Sequence, residues 1–135
     1  MDAPTIPESH LDLLDAQTAI LATIGSDGRP QLSAVWFLRQ GDEPRVSLNT
    51  SRQKVKNLRA NAAVTFFVHD PEAPTRYLEL RGEAVIEDDP DYEFASRVGE
   101  KYGADLRAFD GDNPHRVALS IRPSRINAVD MLAGS

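Results

Sequence analysis

The sequence contains no cysteine, which excludes disulfides, thiol nucleophiles and Cys-ligated zinc together. Lysine is scarce, with only three residues, and there is a single tryptophan. No apolar run approaches the roughly 18 residues of a membrane span. Asp2 and Glu8 also interrupt any apolar leader, so a soluble cytoplasmic domain without membrane contact is expected. Fifteen basic residues against twenty-one acidic ones give a net charge of −6. That balance argues against a general nucleic-acid binder, which carries a basic field. His10, His69 and His115 are scattered along the chain, so no metal site is expected. The acidic cluster Glu87, Asp88, Asp89, Asp91 and Glu93 lacks the glycine and ligand spacing of a calcium loop. What remains fits one domain over residues 1–135, long enough to bury about two-thirds of the open chain's surface.

The punctuation of the chain predicts mostly strands. Ser9 with Asp12 three positions on reads as the start of a short capped helix. The β-rich run 18–24 closes on Gly25-Ser26-Asp27-Gly28-Arg29-Pro30, which is hairpin chemistry. Strands over about 31–39 and 45–50 would complete an antiparallel meander. The period then changes: Val55 and Leu58 mark one short amphipathic helix over 52–61. A strand over 62–68 follows, then an alternating one over 76–87, with Tyr77, Glu79, Arg81 and Glu83 on one face. Asp89 and Pro90 open a helix that Gly103 stops, a polar stretch runs from 104 to 114, and a last strand covers 116–122 with a continuation over 125–130.

Six or so strands with short helices between them suggest a mainly β fold, a small six-stranded antiparallel β-barrel, closed or split, that hides its edges. Such a barrel is too narrow to hold a ligand, because about eight strands are needed for that. Side chains such as Ile20, Leu32, Phe66 and Val85 are therefore expected to fill it. A sizeable ligand must then lie on the outer wall, where a second subunit is the simplest cover. A homodimer follows as an expectation from geometry.

The charge distribution is uneven. No Asp or Glu occurs between Pro44 and His69, whereas Arg45, Arg52, Lys54, Lys56 and Arg59 all do. In the stretch Asn49-Thr50-Ser51-Arg52-Gln53-Lys54-Val55-Lys56-Asn57-Leu58, a strand ends on hydroxyls and a helix opens on cations. The exposed N–H groups and positive dipole end of a helix start suit a phosphate. Thr50 and Ser51 add hydroxyl donors, Arg52 can grip two oxygens, and Lys54 supplies a point charge. The plain alternative is a surface helix with a solvated cationic face. Ordinary surface helices interleave charges of both signs, and this one does not.

The ordered series Gln31-Leu32-Ser33-Ala34-Val35-Trp36-Phe37, then Thr50 to Leu58, then Arg76-Tyr77-Leu78-Glu79-Leu80-Arg81-Gly82 resembles the pyridoxamine 5′-phosphate oxidase-like split-barrel family. More narrowly it resembles the deazaflavin-dependent branch that uses coenzyme F420. Lys101-Tyr102-Gly103 and the final strand 116–123 agree, so the resemblance covers about 11–130. It implies that Thr50, Ser51, Arg52 and Lys54 bind a cofactor phosphate and that Asn49, Gln53 and Asn57 also belong to the cofactor site. Ser33, Val35 and Trp36 would lie along the flat ring. Arg76 and Tyr77, from the partner subunit, would close the pocket. The implied activity is hydride transfer from reduced F420 to a small unsaturated or conjugated substrate, with the catalytic residues left unassigned because the cofactor carries the chemistry. FMN fits the same cations, so an FMN-dependent oxidoreductase stays open as an alternative. A binder of flavin, deazaflavin or tetrapyrrole without turnover stays open too, since fold does not fix function.

Overall fold

The computed structural model describes residues 3–132; Asp2 lies outside them. A 3₁₀ helix (Glu8–Asp15) leads into β1 (Ala19–Ile24), β2 (Pro30–Val35), β3 (Leu38–Gln40), β4 (Glu43–Asn49), α1 (Gln53–Ala60), β5 (Ala63–Asp70), β6 (Ala73–Asp88), α2 (Glu93–Tyr102), α3 (Leu106–Asp110) and β7 (Arg116–Asp130). Every strand pairing is antiparallel, and the sheet order is β2-β1-β5-β6-β7-β4-β3. The two outermost strands of that order, β2 and β3, are separated in sequence only by Trp36 and Phe37. A link of two residues spans about 10 Å at most, so the sheet has to curl until its ends approach one another. The result is the expected split barrel, built from seven strands instead of six.

The extra strand corrects the expected meander. The segment read as one strand over 31–39 breaks at Trp36, so only its end, β3, pairs with the start of β4 as the meander requires, and the rest of β4 pairs with β7 rather than with β2. Phe37 causes the break. Its ring is fully buried and meets Phe66 edge-on with centroids 5.2 Å apart, while its N–H donates to the Tyr102 hydroxyl at 3.0 Å instead of to a strand.

The interior also needs correction. Phe66 is fully buried as expected, but Leu32 is 63% exposed and Ile20 only half-buried. Ala19, Leu21 and Thr23 point inward instead. Because side chains alternate, a register offset of one residue moves the whole set to the other face. Val85 is half-buried and lies off the core that its neighbours Ala84 and Ile86 join. Along β6 the predicted alternation holds, with Leu78 and Leu80 buried between Tyr77, Glu79 and Arg81. Val55 and Leu58 of α1 belong to the main core, so this helix plugs the barrel.

Local signals were partly redirected. Ser9 does not cap the first helix. Its hydroxyl meets His10 Nδ1 at 2.8 Å, and Asp12 binds Arg76 instead. The carbonyl of Val129 can only accept, so it takes its hydrogen bond from His10 Nε2 (3.0 Å). Asp89 does cap α2, accepting from the N–H groups of Phe94 (3.2 Å) and Ala95 (2.9 Å). The helix starts three residues beyond Pro90, because Tyr92 takes a left-handed φ of 58°. The polar stretch after Gly103 holds α3, capped by Asp105 and anchored by buried Leu106. Among the described residues, no helix is long and apolar enough to cross a membrane.

Candidate functional site

The loop from β4 to α1 is tied down by Asn49. Its Oδ1 accepts from the Ser51 N–H (2.9 Å), the Ser51 hydroxyl (2.7 Å) and Asn113 Nδ2 (3.2 Å), and its Nδ2 donates to the Asn113 carbonyl (2.8 Å). The Thr50 N–H donates to the His115 carbonyl. Asn49 therefore spends its amide on shaping the loop and takes both Ser51 donors, while the Thr50 hydroxyl keeps its donor and acceptor capacity at the loop surface. Behind the loop, Arg116 forms a two-point pair with Asp110 at 2.8 Å per bond, and Tyr92 donates to the same carboxylate. Burial pushes Asp110 upward, but the hydrogen bonds from Arg116 and Tyr92 outweigh it and leave the carboxyl below its ordinary value.

No side chain caps α1. The N–H groups of Val55 and Lys56 turn back to the Arg52 carbonyl, leaving those of Gln53 and Lys54 for water or a ligand. Arg52 is exposed at this end. Lys54 is 7% exposed, and burial, followed by the nearby charge of Arg52, holds its ammonium below the usual lysine value. No side-chain nitrogen or oxygen among the described residues is buried without a hydrogen bond. The unbonded Lys54 ammonium must therefore emerge at the surface beside Arg52. Neither cation has a carboxylate partner among the described residues. Two like charges side by side at an uncapped helix start raise each other's energy, and an anion relieves both. Arg45, by contrast, is used internally: it donates to Gln40 at 2.8 Å and lies over the Phe94 ring.

Asn57 is 5% exposed and fully engaged. Its Nδ2 donates to Thr23 Oγ1 (3.1 Å) and Gln31 Oε1 (2.9 Å), and its Oδ1 accepts from Gln53 Nε2 (2.9 Å). It thus positions Gln53 and Gln31 rather than facing a ligand itself. Val35 is buried, so only its backbone is available, and Ser33 is half-buried on the same inward side of edge strand β2. Trp36 is 37% exposed, with one ring face covered by Tyr102.

Arg76 and Tyr77 are not brought to the α1 cations by the same chain. Tyr77 lies five residues along β6 from Gly82, which sits level with Val64 and Thr23 beside α1, a run of roughly 16 Å. Arg76 is spent on Asp12 (2.6 Å), the Ser9 carbonyl and Asp70 (3.5 Å), fixing the first helix to β6. Tyr77 stacks obliquely on Phe67 with centroids 5.2 Å apart.

Sequence reasoning left four participants unassigned. Lys101 and Tyr102 hold Trp36 and Phe37, and their only sequence signal is their place in Lys101-Tyr102-Gly103. Asn113 and Gln31 act through amides whose partners are 64 and 26 residues away, which no local pattern reveals.

Residues 6–130 match the family model described as pyridoxamine 5′-phosphate oxidase. The chain belongs to the pyridoxamine 5′-phosphate oxidase family. Among solved structures of this fold, one named F420 reductase is 37% identical with a TM-score of 0.79, covering 90% of this chain and 98% of its own. A conserved hypothetical protein of Mycobacterium tuberculosis, Rv2991, is 27% identical with a TM-score of 0.76, covering 96% and 87%. A putative pyridoxamine 5′-phosphate oxidase from Listeria innocua, at 24% identity and a TM-score of 0.68 over 90% and 95%, shares the fold. No curated protein sequence matches the chain. The family relationship agrees with the curled antiparallel sheet and with a flavin-type cofactor as the class of ligand. The uncapped helix start with Arg52 and Lys54 fits the phosphate of such a group.

Proposed function

We propose that this chain binds coenzyme F420 in a homodimer and reduces a small unsaturated or conjugated substrate. The observation that carries this reading is the unpaired Arg52–Lys54 couple at the uncapped start of α1. The 37% identity to a structure named F420 reductase supports the deazaflavin over FMN. When bound, the reduced cofactor supplies a hydride, and the acceptor takes its proton from solvent.

The chain's own contribution is placement and exclusion of water. Arg52, Lys54 and the N–H groups of Gln53 and Lys54 hold the phosphate, with Thr50 and Ser51 at its side. Edge strand β2 offers the backbone of Ser33 and Val35 to the ring, and the open face of Trp36 borders it. The outer wall carries Ile20, Ala22, Leu32, Thr65 and Phe67, a partly apolar surface that suits cover by a second copy presenting its Tyr77. The exposed Leu32 supports that cover, since burying a leucine contributes about 1.5–3 kcal/mol.

Titration of the purified protein with F420 and with FMN, followed by cofactor fluorescence, tests the assignment. Tighter F420 binding, lost in Arg52→Gln and Lys54→Met variants that remain folded, is expected. Preference for FMN would transfer the reading to a flavin oxidoreductase, and indifference to both would end it. Consumption of reduced F420 in the presence of enones or quinones separates an oxidoreductase from a carrier.

A further inference from the structure

The barrel wall has a gap that its own strand pairing explains. β4 meets β7 only from Val46 to Asn49, opposite Leu119 to Arg116, while its first residues, Glu43 to Arg45, pair with β3. β7 runs on to Asp130 against β6. The start of β4 and the second half of β7 therefore part, and the segment 4–6 lies beside the opening. What is left is a hollow of about 300 Å³, at the lower end of the range for small-ligand sites. It shares no residue with the anion site at α1.

The floor of this hollow is apolar. Leu80, Ile121 and Ile126 form it, and Ile6 flanks it; all four belong to the main core or pack against it. Water resting on such a floor finds few hydrogen-bond partners, so an apolar chain displaces it favourably. The rim is different, because Asp42 and Glu43 stand on it and none of the lining residues is cationic. Arg39 reaches Asp42 at 3.4 Å but also Asp15 at 3.2 Å, so one guanidinium answers two carboxylates. Glu43 has no ion-pair partner among the described residues. An apolar floor under an under-compensated negative rim matches a molecule whose apolar chain ends in a cation.

We infer that this hollow binds a small apolar primary amine as its ammonium ion. The chain lies on Leu80, Ile121 and Ile126, and the ammonium sits at Asp42 and Glu43. A primary ammonium carries three donors, enough to serve both carboxylates at once. An alcohol of the same length keeps the floor contact and loses the charge, and a carboxylic acid of that length meets repulsion at the rim.

Hexylammonium, 1-hexanol and hexanoate share a chain and differ in head group, so titrating each into ¹⁵N-labelled protein at pH 7 separates floor from rim. Hexylammonium is expected to move the amide signals of Thr5, Leu80, Ile121 and Ile126. It should bind about fivefold more tightly than 1-hexanol, as partly exposed ion pairs allow, with hexanoate weakest. The second protein carries Asp42→Asn together with Glu43→Gln. Both positions are exposed at the β3–β4 turn, so this variant folds. It is expected to bind hexylammonium no better than 1-hexanol, with the affinity for 1-hexanol unchanged. Equal affinity of wild type for the two probes would overturn the inference and reduce the hollow to a packing gap. A preference for hexylammonium that survived in the variant would overturn it as well, by placing the recognised charge elsewhere. Signals moving only around Leu32 and Phe67 on the outer wall, or none moving at all, would likewise overturn it.

Discussion

The Trp36 indole lies flat on the Tyr102 ring, with centroids 4.3 Å apart and planes within 4° of parallel. Tyr102 also serves the backbone at the point where β2 passes into β3. Its hydroxyl accepts from the Phe37 N–H (3.0 Å) and faces the carbonyls of Gln17 (2.8 Å) and Phe37 (3.0 Å). Tyr102→Phe leaves the Phe37 N–H unpaired in a protein interior, at a cost of about 1–3 kcal/mol. Urea denaturation should show that loss. Because the chain has one tryptophan, its fluorescence reports the loosened stack directly.

Lys54 places the needs of binding against those of stability. Lys54 is a largely buried residue whose ammonium is partly desolvated and has no carboxylate partner among the described residues, which destabilises the fold, so Lys54→Met should gain about 1 kcal/mol at pH 7 while losing cofactor affinity. The pH dependence has a definite sign. The folded-state value of Lys54 lies below its unfolded value, so its cost is present in full below the folded value and fades as pH rises through it. The advantage of the methionine variant in urea melts should therefore shrink toward alkaline pH. An advantage that grew with pH would contradict this account.

Asp110 and Arg116 form a pair whose side chains are 3% and 11% exposed. Asp110→Asn leaves the guanidinium without its counter-charge and should cost about 3 kcal/mol. The carboxyl is depressed in the folded state, so its contribution is present above the unfolded value, near 3.9, and is lost as pH falls through the folded value. Acid unfolding monitored by circular dichroism should be steeper in wild type than in the variant.

Arg76 separates a structural role from a ligand-binding one. Within its own chain it is held by Asp12, whose hydrogen bond is the foremost cause of its raised value. Arg76→Gln should lower stability by about 1 kcal/mol and leave phosphate affinity within a factor of two. Loss of F420 binding at unchanged stability would instead place this arginine at the cofactor.

Gly82 lies at a register shift between β6 and β7, and a Cβ there would stand 2.1 Å from the Arg122 carbonyl oxygen. The obstacle is backbone, which cannot swing aside. Gly82→Ala should lower the thermal midpoint by about 3–10 °C, which is what 1–2 kcal/mol costs a domain of this size.

Much of this molecule can be read locally. The alternation in β6, the hairpin turn around Gly28 and the cationic start of α1 all follow from neighbours a few residues apart. The acid-free stretch from Pro44 to His69 exposed the candidate anion site because an absence of counter-charge needs no tertiary knowledge. The misreadings arose where distant partners decide. Phe37 leaves its strand because Phe66 and Tyr102 hold it, and Ser9 gives up its capping role to His10. Asn49 and Asn57, both counted among the ligand-facing residues, have amides taken up by Asn113, Thr23, Gln31 and Gln53. One-residue offsets in β1 and β2 moved Ile20 and Leu32 from inside to outside, an error that period-two patterns invite when both faces carry apolar residues.

The Trp36-Phe37 dipeptide joins strands that stand at opposite margins of the sheet. Curvature is thereby written into connectivity, and a single peptide unit acts as the clasp of a bracelet. A circular permutant opened between these residues, with the natural ends tethered, would keep every ladder yet lose the clasp, and the strip of strands would be free to unroll from that point.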